Sequence, residues 1–348
     1  MAHETPGNLF DRLKSDPRQI YVVAEAGLNH GGSKERALAL LRAAKWAGAN
    51  AVKFQTFKAD RLASTRPAAL GHVKGQPNLQ ELFKKLELSF DVFRVLFKEA
   101  KRLNIDFLST PFDEESADFL DELGVSAFKV ASGDITHRPL IERVASKGKP
   151  VMLSTGMSTV EEVERAIDWM HNRANEQTIL LHCVSSYPAQ PEELNLKSVE
   201  YLRDRFGVPV GFSDHSVGTL AATVAISLGA QVLERHFMVE TRGDLPDLAV
   251  SMDAKQLRGH IEELRGIARM LGTRGKFTSE AETQNRTASR RALYARRAIA
   301  RGETIEAEML YALRPAIGIS PAELADVVGK QATAAIEANA PVQWESLA

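Results

Sequence analysis

One cysteine in 348 residues, Cys183, has nothing to pair with inside the chain, so no internal disulfide holds the fold together. It sits in the apolar run 179–184 and reads as a buried structural thiol rather than a nucleophile. Long hydrophobic runs are missing too. No stretch approaches the roughly 20 apolar residues that cross a bilayer, and the first 19 residues are polar with no apolar centre. Neither a membrane span nor a secretory leader is expected, and the expected location is cytoplasmic. Charge of one sign is also absent: 44 Lys and Arg stand against 45 Asp and Glu, a net charge of -1. That balance offers no global field for nucleic acid or an anionic membrane, so any anion site must be local.

What the chain does have is a 44% hydrophobic content and enough length for one barrel-sized domain and a small second one. Eight β-branched or apolar runs recur, at 20–27, 51–57, 106–112, 127–134, 150–156, 178–188, 209–216 and 231–237. Segments of helical periodicity, among them 33–47, 116–123, 159–172 and 220–228, lie between them. Eight strands with interleaved helices predict an α/β chain closed as a (β/α)8 TIM barrel. The long second connection, 58–105, holds Gly71, His72, Gly75 and Pro77 ahead of a helical 79–86, and reads either as a lid or as a surface elaboration. A helix over 254–271 ends the barrel at 1–271. Residues 272–290, rich in Thr, Ser, Arg and Gly, read as a linker, and 291–348 as a small β-rich domain that would benefit from docking on another subunit.

Nearly every run ends in polar residues, as expected where the strand C-termini of a barrel share one catalytic face. His215 and His236 close the seventh and eighth runs, so the barrel brings two imidazoles together as candidate metal ligands for Mn, Fe, Co or Zn. His30 and His72 are weaker candidates for lining the pocket. Lys53 and Lys129 lie in apolar surroundings, where a lysine is costly unless an anion pairs with it. Beside them Ser132, Gly133 and Ser154 offer hydroxyls and open backbone N–H groups ahead of helices, an arrangement that suits phosphate or carboxylate. Glu25 and Asp134 are candidate general acid or base groups, Glu234 a neighbour of the metal, and Asp247 a ligand of substrate or metal-bound water. A Schiff-base aldolase using Lys129 or Lys53 competes, but that chemistry needs no Lewis acid. A metal-dependent hydrolase and a catalytically inactive carbohydrate-binding protein are the readings from other classes.

The motifs Glu25-Ala-Gly-Leu-Asn-His, Val52-Lys-Phe-Gln-Thr, Ser109-Thr-Pro-Phe-Asp, Lys129-Val-Ala-Ser-Gly-Asp, Leu153-Ser-Thr-Gly-Met, His182-Cys-Val-Ser-Ser-Tyr-Pro, Gly211-Phe-Ser-Asp-His-Ser and Glu234-Arg-His-Phe follow one another at all eight strands. In that order they resemble the sialic acid synthase family. The segment with Arg291-Ala-Leu-Tyr and Leu313-Arg-Pro is similar to its antifreeze-like SAF domain.

The resemblance implies condensation of phosphoenolpyruvate with an N-acetylated amino-sugar aldehyde, N-acetylmannosamine or a diacetamido hexose, giving a nonulosonic acid and phosphate by C–O cleavage. A 3-deoxy-ulosonate synthase acting on another aldose is the alternative within that chemistry. It further implies Lys53, Ser132, Gly133 and Ser154 around the phosphate, and Thr110, Lys129, Ser185 and Ser213 near the carboxylate. Gln55, Tyr187, Asp247 and Arg314 would hold the sugar. His215 and His236 would bind a divalent ion, commonly Mn2+, with Mg2+ or Co2+ as alternatives. The implied assembly is a homodimer in which the SAF domain reaches the partner's active site. Three departures stand out: Asp134 where the family often has Glu, Leu248 after Asp247 where many members carry His, and Val184-Ser185 near the sixth strand where Asn or Thr is usual.

Overall fold

The computed structural model describes residues 8–66, 78–240 and 245–348, and the chain divides into two compact units, Met1–Gly272 and Thr273–Ala348. In the first unit eight strands run in parallel: β1 (Tyr21–Gly27), β2 (Ala51–Thr56), β3 (Asp106–Pro111), β4 (Phe128–Val130), β5 (Val151–Ser154), β6 (Thr178–Cys183), β7 (Val210–Asp214) and β8 (Val232–Met238). Their hydrogen-bonded order is β3-β2-β1-β8-β7-β6-β5-β4. The two ends of that order, β3 and β4, pack side by side, so the sheet curls into a nearly closed barrel of TIM type.

The strands read as continuous apolar runs because both of their faces are buried. Tyr21, Val23, Leu108, Met152 and Ile179 fill the barrel near the strand starts, whereas Val22, Ala24, Val52, Phe54 and Leu180 belong to the core shared with the helices. A short helix, Leu9–Ser15, was not evident in the polar N-terminal stretch. Its Leu9, Phe10 and Leu13 join the inner cluster, closing the barrel at the strand starts and leaving the opposite end for chemistry.

Helix starts follow local chemistry. Ser33 caps Lys34–Ala47, Asp113 caps Glu114–Leu123, and Thr159 with Glu162 forms a capping box on Val160–His171. Gly48, at φ 87°, ends the first of these in the left-handed conformation that glycine adopts without strain.

Several expected boundaries move. The run 127–134 is a strand only over Phe128–Val130 and then turns through the 3-10 segment Ser132–Asp134, while the run 178–188 leaves the sheet after Cys183. Among its described residues the connection 58–105 carries three helices, Ala59–Leu62, Leu79–Leu86 and Phe90–Leu103; its Gly71, His72, Gly75 and Pro77 lie outside the described residues.

The expected linker 272–290 contains the helix Glu280–Ser289, started by a Ser279/Glu282 capping box. None of its residues is buried, which is why hydrophobic periodicity could not mark it. The second unit continues with the antiparallel pair Ala292–Ala295 and Leu310–Leu313, over its own core of Leu293, Ile299, Ile305, Val327 and Val342. No helix among the described residues is long and apolar enough to cross a membrane.

Candidate active site

The strand C-termini surround a cavity of about 430 Å³. Its walls include Glu25, Lys53, Gln55, Thr110, Lys129, Ser132, Gly133, Ser154, Ser185, Tyr187, Ser213, His215, His236 and Asp247, all expected from the sequence. Asp134 is not among the lining residues. It sits in the 3-10 turn after β4 with Oδ2 buried and without a hydrogen-bond partner, and burial raises its carboxyl to about 6 against the pull of His137 and Lys129. Arg314 is exposed and belongs to the second unit. His30 is buried near the strand ends but does not line the cavity, and burial lowers its imidazole to about 4. His72 lies outside the described residues.

One wall is a buried charge cluster. Lys53 Nζ lies 2.9 Å from Glu25 Oε2 and 3.6 Å from Glu234 Oε2, and donates to Thr110 Oγ1 at 3.1 Å. Lys129 Nζ lies 4.0 Å from Glu234 Oε1, an oxygen that also accepts from Ser213 Oγ at 2.9 Å. The parallel register places Glu25 beside Lys53 and Ser213 beside Glu234 on neighbouring strands, so ladder geometry assembles the cluster.

Burial would raise the Glu234 carboxyl, but Lys129, Lys53 and Ser213 hold it at about 2. Glu25 has only part of one lysine, and burial pushes it up to about 7 despite Lys53, with Glu234 adding to the rise. For Lys53 the cost of burial is outweighed by the two glutamates and its ammonium stays above the ordinary value, while burial dominates at Lys129 and lowers it. Near neutrality Glu25, at about 7, is only partly ionised, so the carboxylates beside Lys53 and Lys129 carry less than two full negative charges and the lysines can take an incoming anion.

At the ends of β4 and β5, Ser132 Oγ accepts the Gly156 N–H at 3.0 Å, and Ser154 Oγ is buried without a hydrogen-bond partner. A Cβ on Gly156 would stand 2.5 Å from Ser185 Oγ and 2.9 Å from Ser132 Oγ, so only glycine lets these hydroxyls converge. Together they form a small cradle of donors beside the lysines.

The two imidazoles lie across the cavity, with ring centroids 5.4 Å apart, and Tyr187 stacks on His215 at 4.1 Å. His215 Nδ1 is engaged with Val184 O at 2.9 Å, which turns its other nitrogen away from that backbone group. His236 Nδ1 is buried without a hydrogen-bond partner, 3.6 Å from Asp247 Oδ2, and burial together with His215 keeps its ring neutral. Asp247 is fixed in turn by the Leu28 N–H at 3.0 Å, and Gly27 at φ 48° gives its carboxylate room: a Cβ there would meet Oδ2 at 2.5 Å.

Among the described residues no group of three or more His, Cys, Asp and Glu side chains converges as a metal cage. Burial would lower the His215 imidazole, but Cys183, the Val184 carbonyl and Glu234 hold it above its ordinary value, so a cation there would displace a proton; two imidazoles this close beside a polar cavity do fit a divalent ion whose remaining ligands are water and substrate oxygens. Glu234, Phe112, Ala131, Met157 and Cys183 also line the cavity. The thiol of Cys183, read from the sequence as buried among apolar neighbours, lies 3.8 Å from His215 Nδ1; its burial was legible, its neighbour was not.

Comparison with known proteins gives the chain's relatives. A model of the NeuB family matches residues 40–276, and a SAF domain model matches residues 290–348. The N,N'-diacetyllegionaminic acid synthase of Legionella pneumophila is 39% identical over 335 residues, 94% of each chain. A pseudaminic acid synthase of Campylobacter jejuni is 32% identical over 324 residues, 92% of this chain and 94% of that one. Among solved structures, the N-acetylneuraminic acid synthetase of Leptospira borgpetersenii, in complex with citrate, superposes with a TM-score of 0.70 at 32% identity, covering 77% of this chain and 90% of that one.

Proposed function

The chain belongs to the NeuB family of condensing transferases, and from that premise we propose that it joins phosphoenolpyruvate to an N-acetylated amino-sugar aldehyde, yielding a nonulosonic acid and phosphate. One observation carries the reading: a single cavity holds a lysine-and-hydroxyl anion cradle together with two imidazoles whose ring centroids lie 5.4 Å apart. A diacetamido hexose is the favoured acceptor, because a relative named for a diacetylated product is 39% identical along nearly the whole chain. N-acetylmannosamine is the second acceptor to test.

Phosphoenolpyruvate carries a phosphate and a carboxylate on one small frame. Lys53, Ser132, Gly133 and Ser154 would hold the phosphate, and Thr110, Lys129, Ser185 and Ser213 the carboxylate. That leaves C3 facing the imidazole side, where Gln55, Tyr187 and Asp247 would orient the sugar. His215 and His236 would hold a divalent ion, Mn2+ first with Mg2+ or Co2+ as alternatives, and such an ion polarises an aldehyde carbonyl as a Lewis acid.

C3 attacks the aldehyde carbon, the new alkoxide takes a proton, and positive character develops at C2 beside Glu234. Water then adds to C2, and Glu25, poised near neutrality, takes its proton. The C2–O bond to phosphate breaks as the C2 hydroxyl gives its proton to the departing phosphate, which the lysines hold, and the 2-keto group forms. Asp134, set back from the cavity, would act on this site only through Lys129 or a water molecule.

The test is a panel of aldehydes with phosphoenolpyruvate and Mn2+, following phosphate release and the keto acid by mass. Condensation with a diacetamido hexose or N-acetylmannosamine is expected, and it should be lost in His236→Ala and after chelation. Turnover that survives both would remove the metal from the reaction, and silence across the panel in folded, metal-loaded protein would overturn the assignment.

A further inference from the structure

His215 and His236 are consecutive in the sequence with two residues that face away from the cavity. Asp214 precedes the first and Arg235 the second, and the register of β7 and β8 sets them directly opposite each other. Their side chains meet on the outer face of the barrel: Arg235 Nη1 lies 2.5 Å from Asp214 Oδ2, with side-chain exposures of 2% and 0%. Neither lines the cavity.

Asp214 does more than pair. Its Oδ1 accepts the Ser216 N–H at 2.8 Å, so one carboxylate ties the chain just after His215 to the strand that carries His236. Arg235 Nη1 also reaches Asp214 O at 3.5 Å. His215 is thus bracketed by Asp214 and Ser216, both fixed by the same buried group, and His236 directly follows the guanidinium that grips it. No other described ion pair joins β7 to β8.

A buried ion pair is weak evidence of a contribution to stability, since the cost of removing two charges from water offsets their attraction. Such a pair does fix geometry, because Arg235 Nη1 faces both Oδ2 and the carbonyl oxygen of Asp214 in a fully buried place, so neither strand end can shift without leaving a buried charge unpaired. We propose that the Asp214–Arg235 pair is a positioning device that sets the separation of His215 and His236, and with it the affinity of the site for a divalent cation. This rests on the reading of those two histidines as metal ligands.

The test measures Mn2+ binding itself, by the loss of the free-ion electron paramagnetic resonance signal on titration, in full-length protein without substrates. The paired variant Asp214→Asn with Arg235→Met removes both charges, strands neither, and keeps an amide oxygen for the Ser216 N–H. Its melting temperature should stay close to that of the unaltered protein while its Mn2+ dissociation constant rises by about tenfold, the scale on which supporting groups tune metal sites. If that variant does not fold, Arg235→Lys decides, because lysine keeps the charge and loses the planar fork: at least a threefold weakening is expected. Folded variants that bind Mn2+ as tightly as the unaltered protein would overturn the positioning role. If the unaltered protein shows no Mn2+ binding that His236→Ala abolishes, the metal reading itself falls, and the positioning role with it.

Discussion

At the scale of single residues, Glu25 is the group whose state matters most. Its carboxyl is raised to about 7 because burial outweighs a lysine that it shares with Glu234. As the base that takes a proton from water, it must be ionised, so kcat/KM should fall as pH drops below about 7. Glu25→Gln should remove that acidic limb and lower kcat by about 10² to 10⁴-fold. A pH-rate profile of both proteins checks this, and an unchanged limb in the variant would assign it to another group. The same shift acts on stability in the opposite sense to a salt-bridged carboxylate. Between an unfolded value of about 4.3 and the native value, the folded chain keeps a proton that the unfolded chain has released, so this group's contribution to stability falls as pH rises across that window.

The individual site residues were legible to different degrees. Lys53, Lys129, His215 and His236 stood out because charged or imidazole side chains in apolar strands need a reason to be there. Glu234 reads from the sequence as a neighbour of an expected metal site, while its contacts with both lysines depend on cross-strand distances that no spacing encodes. Asp134 shows the limit from the other side. Its position in the motif pointed to chemistry, while the 3-10 turn after β4 carries its carboxylate off the cavity wall.

At the scale of elements, the eight strands were visible as apolar runs because burial on both faces erases the alternation that a half-exposed strand would show. Their ends were less visible where polar loop residues continue the run, as after Val130 and Cys183. The helix Glu280–Ser289 has no apolar stripe, and 279–282, a Ser-x-x-Glu capping pattern, is the signal that could have found it.

The loop after β5 allows a direct test of the cradle. In Gly156→Ala the added Cβ meets Ser185 Oγ, Ser132 Oγ and the Cys183 carbonyl within 3.2 Å. Such overpacking should cost about 1–3 kcal/mol in urea unfolding. It should also raise KM for phosphoenolpyruvate more than it lowers kcat, because Ser132 is proposed to hold its phosphate and Ser185 its carboxylate. A variant with normal KM would separate those hydroxyls from phosphoenolpyruvate binding.

For the whole molecule, the proposed assembly makes a prediction about two copies of the chain. Arg314 lies in the Thr273–Ala348 unit and His236 in the barrel, so if a partner's Arg314 completes each site, His236→Ala and Arg314→Ala chains should complement each other. After dissociation and random reassociation, half of the dimers are mixed and each has one intact site, so activity should return to about a quarter of the unaltered level. No recovery would mean that Arg314 serves its own barrel or none.

The central claim concerns which bond of phosphoenolpyruvate breaks. With the bridging oxygen labelled as 18O, C–O cleavage sends the label into phosphate, and mass spectrometry of the phosphate formed alongside the nonulosonic acid should show it fully heavy. Unlabelled phosphate would mean P–O cleavage and would contradict the account.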